Sequence, residues 1–236
     1  MSKTLIFTAT YNEKDNVKTL IEKFNTLKVD IDILVIDDRS PDGTWKILED
    51  LKKNLTNLKV IVRDGKSGLD TAHKLAYKYA KDTGYEYFIS MDADLSHDPD
   101  EIPKILDKLK NNSFVIGSRY IKGGKCEMSG FRLIQSIVGN KLIKKILRLN
   151  CSEFTSSYRG FNLIKLKSFD MDIINSKGYS FFMETIYRLH LHGVEINEIP
   201  IKFRNRKQGK SKIPSNEIFR TLKNLFILFF QNKFSK

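Results

Sequence analysis

Asp92-Ala93-Asp94 follows directly on the apolar run Tyr87-Phe88-Ile89-Ser90-Met91. Two carboxylates one residue apart at a strand end can both approach a hard divalent cation. Mg2+ takes a few carboxylate ligands and lets phosphate oxygens and water complete its octahedron. The bland alternative is a capping or turn pair of acids. Asp37-Asp38 closes a second apolar run, Ile33-Leu34-Val35-Ile36, so the two pairs would gather four carboxylates at one end of a sheet. Acids grouped in this way need a counter-charge, from a metal ion or from a network of lysines. Of the two, metal is favoured.

Strands must deliver these acids, and the first 120 residues supply them. Short β-branched runs alternate with helical patterns: TLIFTA and then 13–27, DILVID and then 42–55, LKVIVR and then 67–83, EYFISM and then 99–110, and finally SFVIGS. The alternation predicts an α/β fold, a Rossmann-like, mostly parallel sheet flanked by helices. Val17, Leu20, Ile21 and Phe24, then Trp45, Leu48 and Leu51, recur at helical spacing and predict sheet-facing stripes. In such sheets the ligand lies beyond the carboxyl ends of the strands. The segments TYNE, DDRSPDG, DGKSGLD, DADLSHDPD and SRYIKGG are therefore the places to seek chemistry.

After residue 130 the pattern predicts a helix over 131–149, a strand RGFNLIK, a helix over 181–191 and an alternating strand VEINEIPIKF. With no internal repeat or linker, the reading is one catalytic unit over 1–212, with halves 1–120 and 121–212, and an extension over 213–236. In that extension Pro214 suits a first helical turn. Ile218, Phe219, Leu222, Leu225, Phe226, Phe229 and Phe230 then fall at helical spacing, bordered by Arg220, Lys223 and Lys233. This is an amphipathic helix, docked on the domain or lying in a membrane interface.

Composition narrows the classes. The chain has 236 residues, 41% hydrophobic and 29% charged, which fits neither disorder nor a polytopic membrane protein. The longest apolar run, Leu225 to Phe230, is far shorter than the roughly 20 residues a spanning helix needs. The start of the chain lacks the features of a secretory signal, and Cys126 and Cys151 have no paired spacing. The net charge of +13 points to an anionic partner: nucleic acid, a phosphorylated small molecule or an anionic membrane. Residues 201–236 carry ten basic side chains against the single acid Glu217, so the basic character is concentrated there.

Taken in order, TATYNE, VIDDRSPDGT, DGKSGL, MDADLSHDP, GSRYIKGG, GYSFFMET and EIPIKFRNRKQGKSK resemble the inverting nucleotide-sugar glycosyltransferases of family 2. More narrowly, they resemble dolichyl or polyprenyl phosphate mannose synthases. The resemblance implies a GT-A fold and transfer of mannose from GDP-mannose to a polyprenyl or dolichyl phosphate. It implies a Mg2+ or Mn2+ cofactor and a peripheral place on the cytoplasmic face of a membrane, endoplasmic reticulum in a eukaryote or plasma membrane in a prokaryote. It also allows a small membrane-anchor subunit as a partner. Carried over by position, Ala9, Tyr11, Glu13, Ile36 and Asp38 would hold the donor nucleotide. Asp92, Ala93 and Asp94 would meet the sugar diphosphate, with Asp92, Asp94 and Ser96 at the metal. Arg119, Arg206 and Lys212 would reach the diphosphate, and Arg132, Ser136 and Arg159 the acceptor phosphate. The chain departs from the usual pattern at Ser157, where glycine is common, and at Asn205, where Asp is common.

The acceptor sets the mechanism. A phosphate monoester has a second pKa near ~6 and is largely a dianion at neutral pH, so it needs no general base. The protein must instead hold two repelling anions in line and stabilise the departing diphosphate. Asp94 with its metal, Arg206 and Lys212 are accordingly expected to be the electrostatic catalysts, with inversion at the anomeric carbon. The alternatives are a polyprenyl-phosphate glucosyltransferase using UDP-glucose, another family 2 transferase, and a basic nucleic-acid-binding protein. The last leaves the strand-end acids without a purpose, so no nucleic-acid partner is expected.

Overall fold

The computed structural model describes residues 3–205 and 217–234. Strands β1 (Thr4–Thr10), β2 (Asp32–Asp37), β3 (Leu58–Val62) and β4 (Tyr87–Ser90) run parallel, joined by helices α1 (Lys14–Thr26), α2 (Thr44–Lys52) and α3 (Leu69–Asp82). Every residue of β2 is buried, and in β1 only Ala9 is partly open. Burial on both faces explains why these strands read as continuous β-branched runs rather than as alternating ones. In α1 the stripe Val17, Leu20, Ile21 and Phe24 is fully buried, as its spacing predicts. In α2 only Leu48 of the three expected residues is fully buried, while Trp45 and Leu51 are half-buried.

After a 3-10 turn at Pro99–Glu101 come α4 (Ile102–Asn111) and β5 (Phe114–Ser118). A purely parallel sheet would set β5 beside β4. Instead β7 (Arg159–Asn162) lies between them, antiparallel to both, and β8 (Asn197–Pro200) extends the sheet beyond β5. The resulting order is β3-β2-β1-β4-β7-β5-β8. The central place of β7 depends on Gly160, because a Cβ there would come within 2.6 Å of Ile105 Cγ2 and 2.7 Å of Leu109 Cδ1 on α4. The expected strand RGFNLIK therefore stops at Asn162, where the chain turns away.

The expected strand VEINEIPIKF is divided. Its first part is β8, while β9 (Lys202–Phe203) leaves the main sheet and pairs in parallel with β6 (Lys125–Cys126). Helices α5 (Gly130–Leu147), α6 (Tyr179–Leu191) and α7 (Glu217–Phe234) join α3 on one face of the sheet, and α1, α2 and α4 cover the other. Leu225 and Leu228 of α7 are buried in the same core as Phe181, Ile186 and Ile143. The docked reading of this helix thus holds for one of its faces, while Phe219, Phe226, Ile227 and Phe230 remain exposed.

Candidate active site

The chain lays down β2 and β3 on one side of β1 and then crosses to place β4 on the other. The carboxyl ends of β1 and β4 therefore flank the crevice in which open α/β sheets bind ligands. Asn12, Arg39 and Leu95, in the loops after β1, β2 and β4, have left-handed φ of 57°, 49° and 62°. Such conformations cost about 1–3 kcal/mol each and persist only where neighbours over-determine them. Around Leu95 that support is the turn Asp94 to Ser96: Ser96 N donates to Asp94 Oδ1 at 3.0 Å and Ser96 Oγ to the same oxygen at 2.6 Å. Around Asn12 and Arg39 it is Ser40, whose Oγ accepts from Asn12 N at 3.0 Å and whose N donates to Asp37 at 2.7 Å.

The four strand-end acids do not form one cluster. Asp37 is fully buried and accepts from Thr10 Oγ1 at 2.7 Å and from both N and Oγ of Ser40, so it knits β1 to β2. Asp38 is paired with the Arg63 guanidinium and accepts from Ser67 N at 3.1 Å. Its counter-charge is an arginine from the loop after β3, where a metal was the expectation. Asp92 and Asp94 remain as the pair for a cation. Asp94 is buried, whereas the Asp92 side chain is 39% exposed. Among the described residues no group of three or more His, Cys, Asp or Glu could hold a metal. A set of two hard carboxylates fits a Mg2+- or Mn2+-type ion whose shell is completed by phosphate oxygens and water. Ser96, expected as a further ligand, is buried with its hydroxyl turned onto Asp94.

The loop 92–98 is clamped from a distant segment. Arg204 N donates to Ser96 O at 2.8 Å, and its Nη2 donates to Asp98 Oδ2 at 2.6 Å. Arg206 and Lys212 lie outside the described residues, which on this side end at Asn205. His97 is 1% exposed, between the rings of Tyr158 and Phe203, and its Nδ1 accepts from Asp92 N at 3.2 Å. That bond leaves the proton on Nε2, which has no partner among the described residues.

On the donor side Ala9 and Ile36 are register partners in β1 and β2, and the Ile36 side chain is wholly in the core. Tyr11 is half-buried with Lys66 Nζ 4.7 Å from its ring centre. Glu13 is buried, accepts from Asn16 Nδ2 at 2.7 Å, and its N donates to Thr44 Oγ1 at 2.9 Å. Ala93 is buried between the two candidate metal ligands.

Arg119, expected at the donor diphosphate, instead forms a two-point pair with Glu153, at 2.8 Å and 3.3 Å, and stacks on Phe203 at 4.4 Å. Burial works against its charge, yet the Glu153 carboxylate, together with Tyr120 and Cys126, outweighs that and raises its pKa. Arg132 and Ser136 lie one turn apart on α5, and Ser136 Oγ accepts from Tyr120 OH at 2.6 Å. Arg132 is exposed and available to an anion. Arg159 is not where the resemblance puts it. It is 1% exposed, and its guanidinium donates to the carbonyls of Ser156, Phe182 and Phe154 at 2.7, 2.8 and 2.9 Å. Its donors tie β7 to α6 and to the loop before β7, and a phosphate would have to displace them.

Sequence reasoning overlooked Arg63, Arg204, His97 and the contact made by Ser157. Of these His97 and Arg204 carried a local signal, their places within the DADLSHDP and EIPIKFRNRKQGKSK segments. The others act across the fold.

Residues 5–169 match glycosyl transferase family 2. An undecaprenyl-phosphate mannosyltransferase of Micrococcus luteus is 32% identical over 212 residues, covering 89% of this chain and 87% of that protein. A polyprenol monophosphomannose synthase of Mycolicibacterium smegmatis is 32% identical over 219 residues, covering 92% and 83%. In structure the chain is similar to the glucosyl-3-phosphoglycerate synthase of Mycobacterium tuberculosis solved with Mn2+ and UDP. The TM-score is 0.65 at 14% identity, over 98% of this chain and 79% of that one. The switch-point crevice, its carboxylate pair and these likenesses agree: this chain has the GT-A fold and belongs to glycosyl transferase family 2.

Proposed function

We propose that the protein transfers mannose from GDP-mannose to a polyprenyl phosphate, with inversion and with the help of a divalent metal. The observation that carries this reading is the Asp92/Asp94 pair at the switch point of a chain similar over most of its length to two enzymes named for polyprenyl-phosphate mannosyl transfer. Asp92 and Asp94 would hold the cation. When bound, it neutralises the diphosphate and stabilises it as it leaves. Tyr11 offers a stacking face to the base, with Lys66 beside it. Arg132 and Ser136 would receive the acceptor phosphate on α5, and Arg206 and Lys212 would add positive charge at the departing diphosphate. A phosphate dianion needs no general base, so these residues act by positioning and by charge.

The acceptor is lipid-borne, and the exposed apolar residues fit a protein lying on a membrane. Phe131 is 72% exposed on α5, next to Arg132, and Phe219 is 76% exposed on α7. Ile134 and Val138 continue the α5 face, and Phe226 and Phe230 that of α7. Among the described residues no helix is long and apolar enough to cross a bilayer. The reading is therefore of a peripheral enzyme, seated by these two helices on the cytoplasmic face. It is tested by thermal shift with GDP, UDP and their sugar conjugates, with and without Mn2+, followed by transfer of labelled mannose to a polyprenyl phosphate. GDP and GDP-mannose should stabilise in a metal-dependent way. Stabilisation by the uridine compounds alone would turn the reading to a glucosyltransferase.

A further inference from the structure

Strands β4 and β7 pair antiparallel, with Ser90 opposite Arg159. Continuing that register by two residues sets Asp92 opposite Ser157, and the two side chains meet: Ser157 Oγ donates to Asp92 Oδ1 at 2.6 Å. Ser157 is 2% exposed, while the Asp92 side chain opens toward the crevice. The other carboxylate oxygen, Oδ2, lies 3.7 Å from His97 Nδ1, the atom that takes the Asp92 N–H.

We propose that Ser157 is a positioning residue for metal binding: its hydroxyl fixes the rotation of the Asp92 carboxylate so that Oδ2 is presented to the cation. This rests on the metal reading of Asp92 and Asp94. A carboxylate at the start of a loop turns freely about its side-chain bonds, and a cation site gains affinity when that freedom is already removed. The hydroxyl is not needed to hold its own loop. The backbone of that loop is held by Glu153, which accepts from the N–H groups of Thr155 and Ser156, and by Ser90, whose Oγ donates to Ser157 O at 2.7 Å. Asp92 is the partner to which the Ser157 hydroxyl donates.

The test uses the full chain with Ser157→Ala, Ser157→Gly and Asp92→Asn. Free Mn2+ is followed by its electron paramagnetic resonance signal during titration in the presence of GDP, alongside melting curves and steady-state rates. Removing an outer-shell partner typically weakens metal binding about 10- to 100-fold. Both Ser157 variants should therefore bind Mn2+ at least about tenfold more weakly, with the KM for Mn2+ rising in step. The melting temperature and the kcat at saturating Mn2+ should stay near wild type. If both variants bind Mn2+ as wild type does while Asp92→Asn does not, the positioning role is wrong and the metal reading stands. If Asp92→Asn also binds normally, the metal reading itself falls. If both Ser157 variants unfold, the hydroxyl is a structural brace and the proposal is overturned.

Discussion

Arg119 and Glu153 hold each other in a buried ion pair, Nε to Oε2 at 2.8 Å and Nη2 to Oε1 at 3.3 Å, with both side chains almost sealed from solvent. Glu153 also accepts from Thr155 and Ser156, so this one carboxylate organises the loop that ends at Ser157. An arginine expected at the diphosphate is thereby committed to the scaffold on at least two of its nitrogens. Removing one partner of such a pair leaves an uncompensated buried charge. Glu153→Ala should cost about 3–5 kcal/mol in urea unfolding, and adding Arg119→Met should recover part of that loss. A cost below about 1 kcal/mol, the range of an exposed pair, would contradict the buried assignment.

Asp92→Asn and Asp94→Asn should each abolish transfer at ordinary metal concentrations while leaving the cooperative melt in place, because neither carboxylate belongs to the apolar core. Turnover across a Mn2+ series is the measurement. Rates near wild type in both variants would remove the pair from the mechanism.

Arg206→Ala and Lys212→Ala should each lower kcat by roughly 10²-fold or more, the scale for losing one donor to a developing anion. By contrast, Arg204→Ala should act through Ser96 and Asp98, which Arg204 holds, and so should raise the KM for metal and donor. Steady-state kinetics on the three variants separate the two behaviours.

His73 is fully enclosed by Phe7, Phe181 and Phe182, and burial, aided by the nearby Arg159 charge, pushes its pKa down to about 3. The unfolded chain binds that proton near ~6.5. The group therefore supports the fold fully above about pH 6.5, and this support is lost progressively as the pH falls from there toward about 3. Between pH 6 and 4 its share approaches about 1.4 kcal/mol per pH unit. His73→Phe should flatten the pH dependence of urea stability across this window by up to one proton. An unchanged slope would show that His73 stays protonated in the fold.

Phe131→Ser on α5 and Phe226→Ser on α7 should reduce flotation with anionic phospholipid vesicles and transfer to long polyprenyl phosphates, with little effect on the melting temperature, because both rings are exposed. Leu225→Ala, on the buried face of α7, should instead destabilise by about 2–5 kcal/mol. If the two phenylalanine variants melt early and still bind vesicles, the exposed faces are not the membrane contact.

Several elements were legible in the chain because their causes are local. The stripe Val17, Leu20, Ile21 and Phe24 spells out one helix face, and the β-branched runs 4–10 and 32–37 spell out buried parallel strands. Asp92 and Asp94 could be read as a ligand pair since a strand end, two acids and the crevice beyond them follow from spacing alone. Arg132 and Ser136 share a helix face for the same reason.

Other features depend on residues far apart in the chain. The antiparallel insertion of β7 needs Gly160 to clear Ile105 and Leu109, and nothing in RGFNLIK states which strands it will join. The division of VEINEIPIKF follows from pairing with Lys125 and Cys126, 77 residues from their partners Lys202 and Phe203 in the chain. Arg159 carries the same charge whether it meets a phosphate or three carbonyls, and only the closing of the core around it decided for the carbonyls. Likewise the acids 37–38 and 92–94 look alike in sequence. Thr10 and Arg63 claim the first pair, while the Asp92 side chain stays 39% exposed, because the fold brings those partners to β2 and not to β4. The sequence by itself determined which groups could do chemistry at the strand ends. Tertiary structure decided which of them are spent on each other, since hydrogen bonds and charge pairing act over ångströms in space and take no account of distance along the chain.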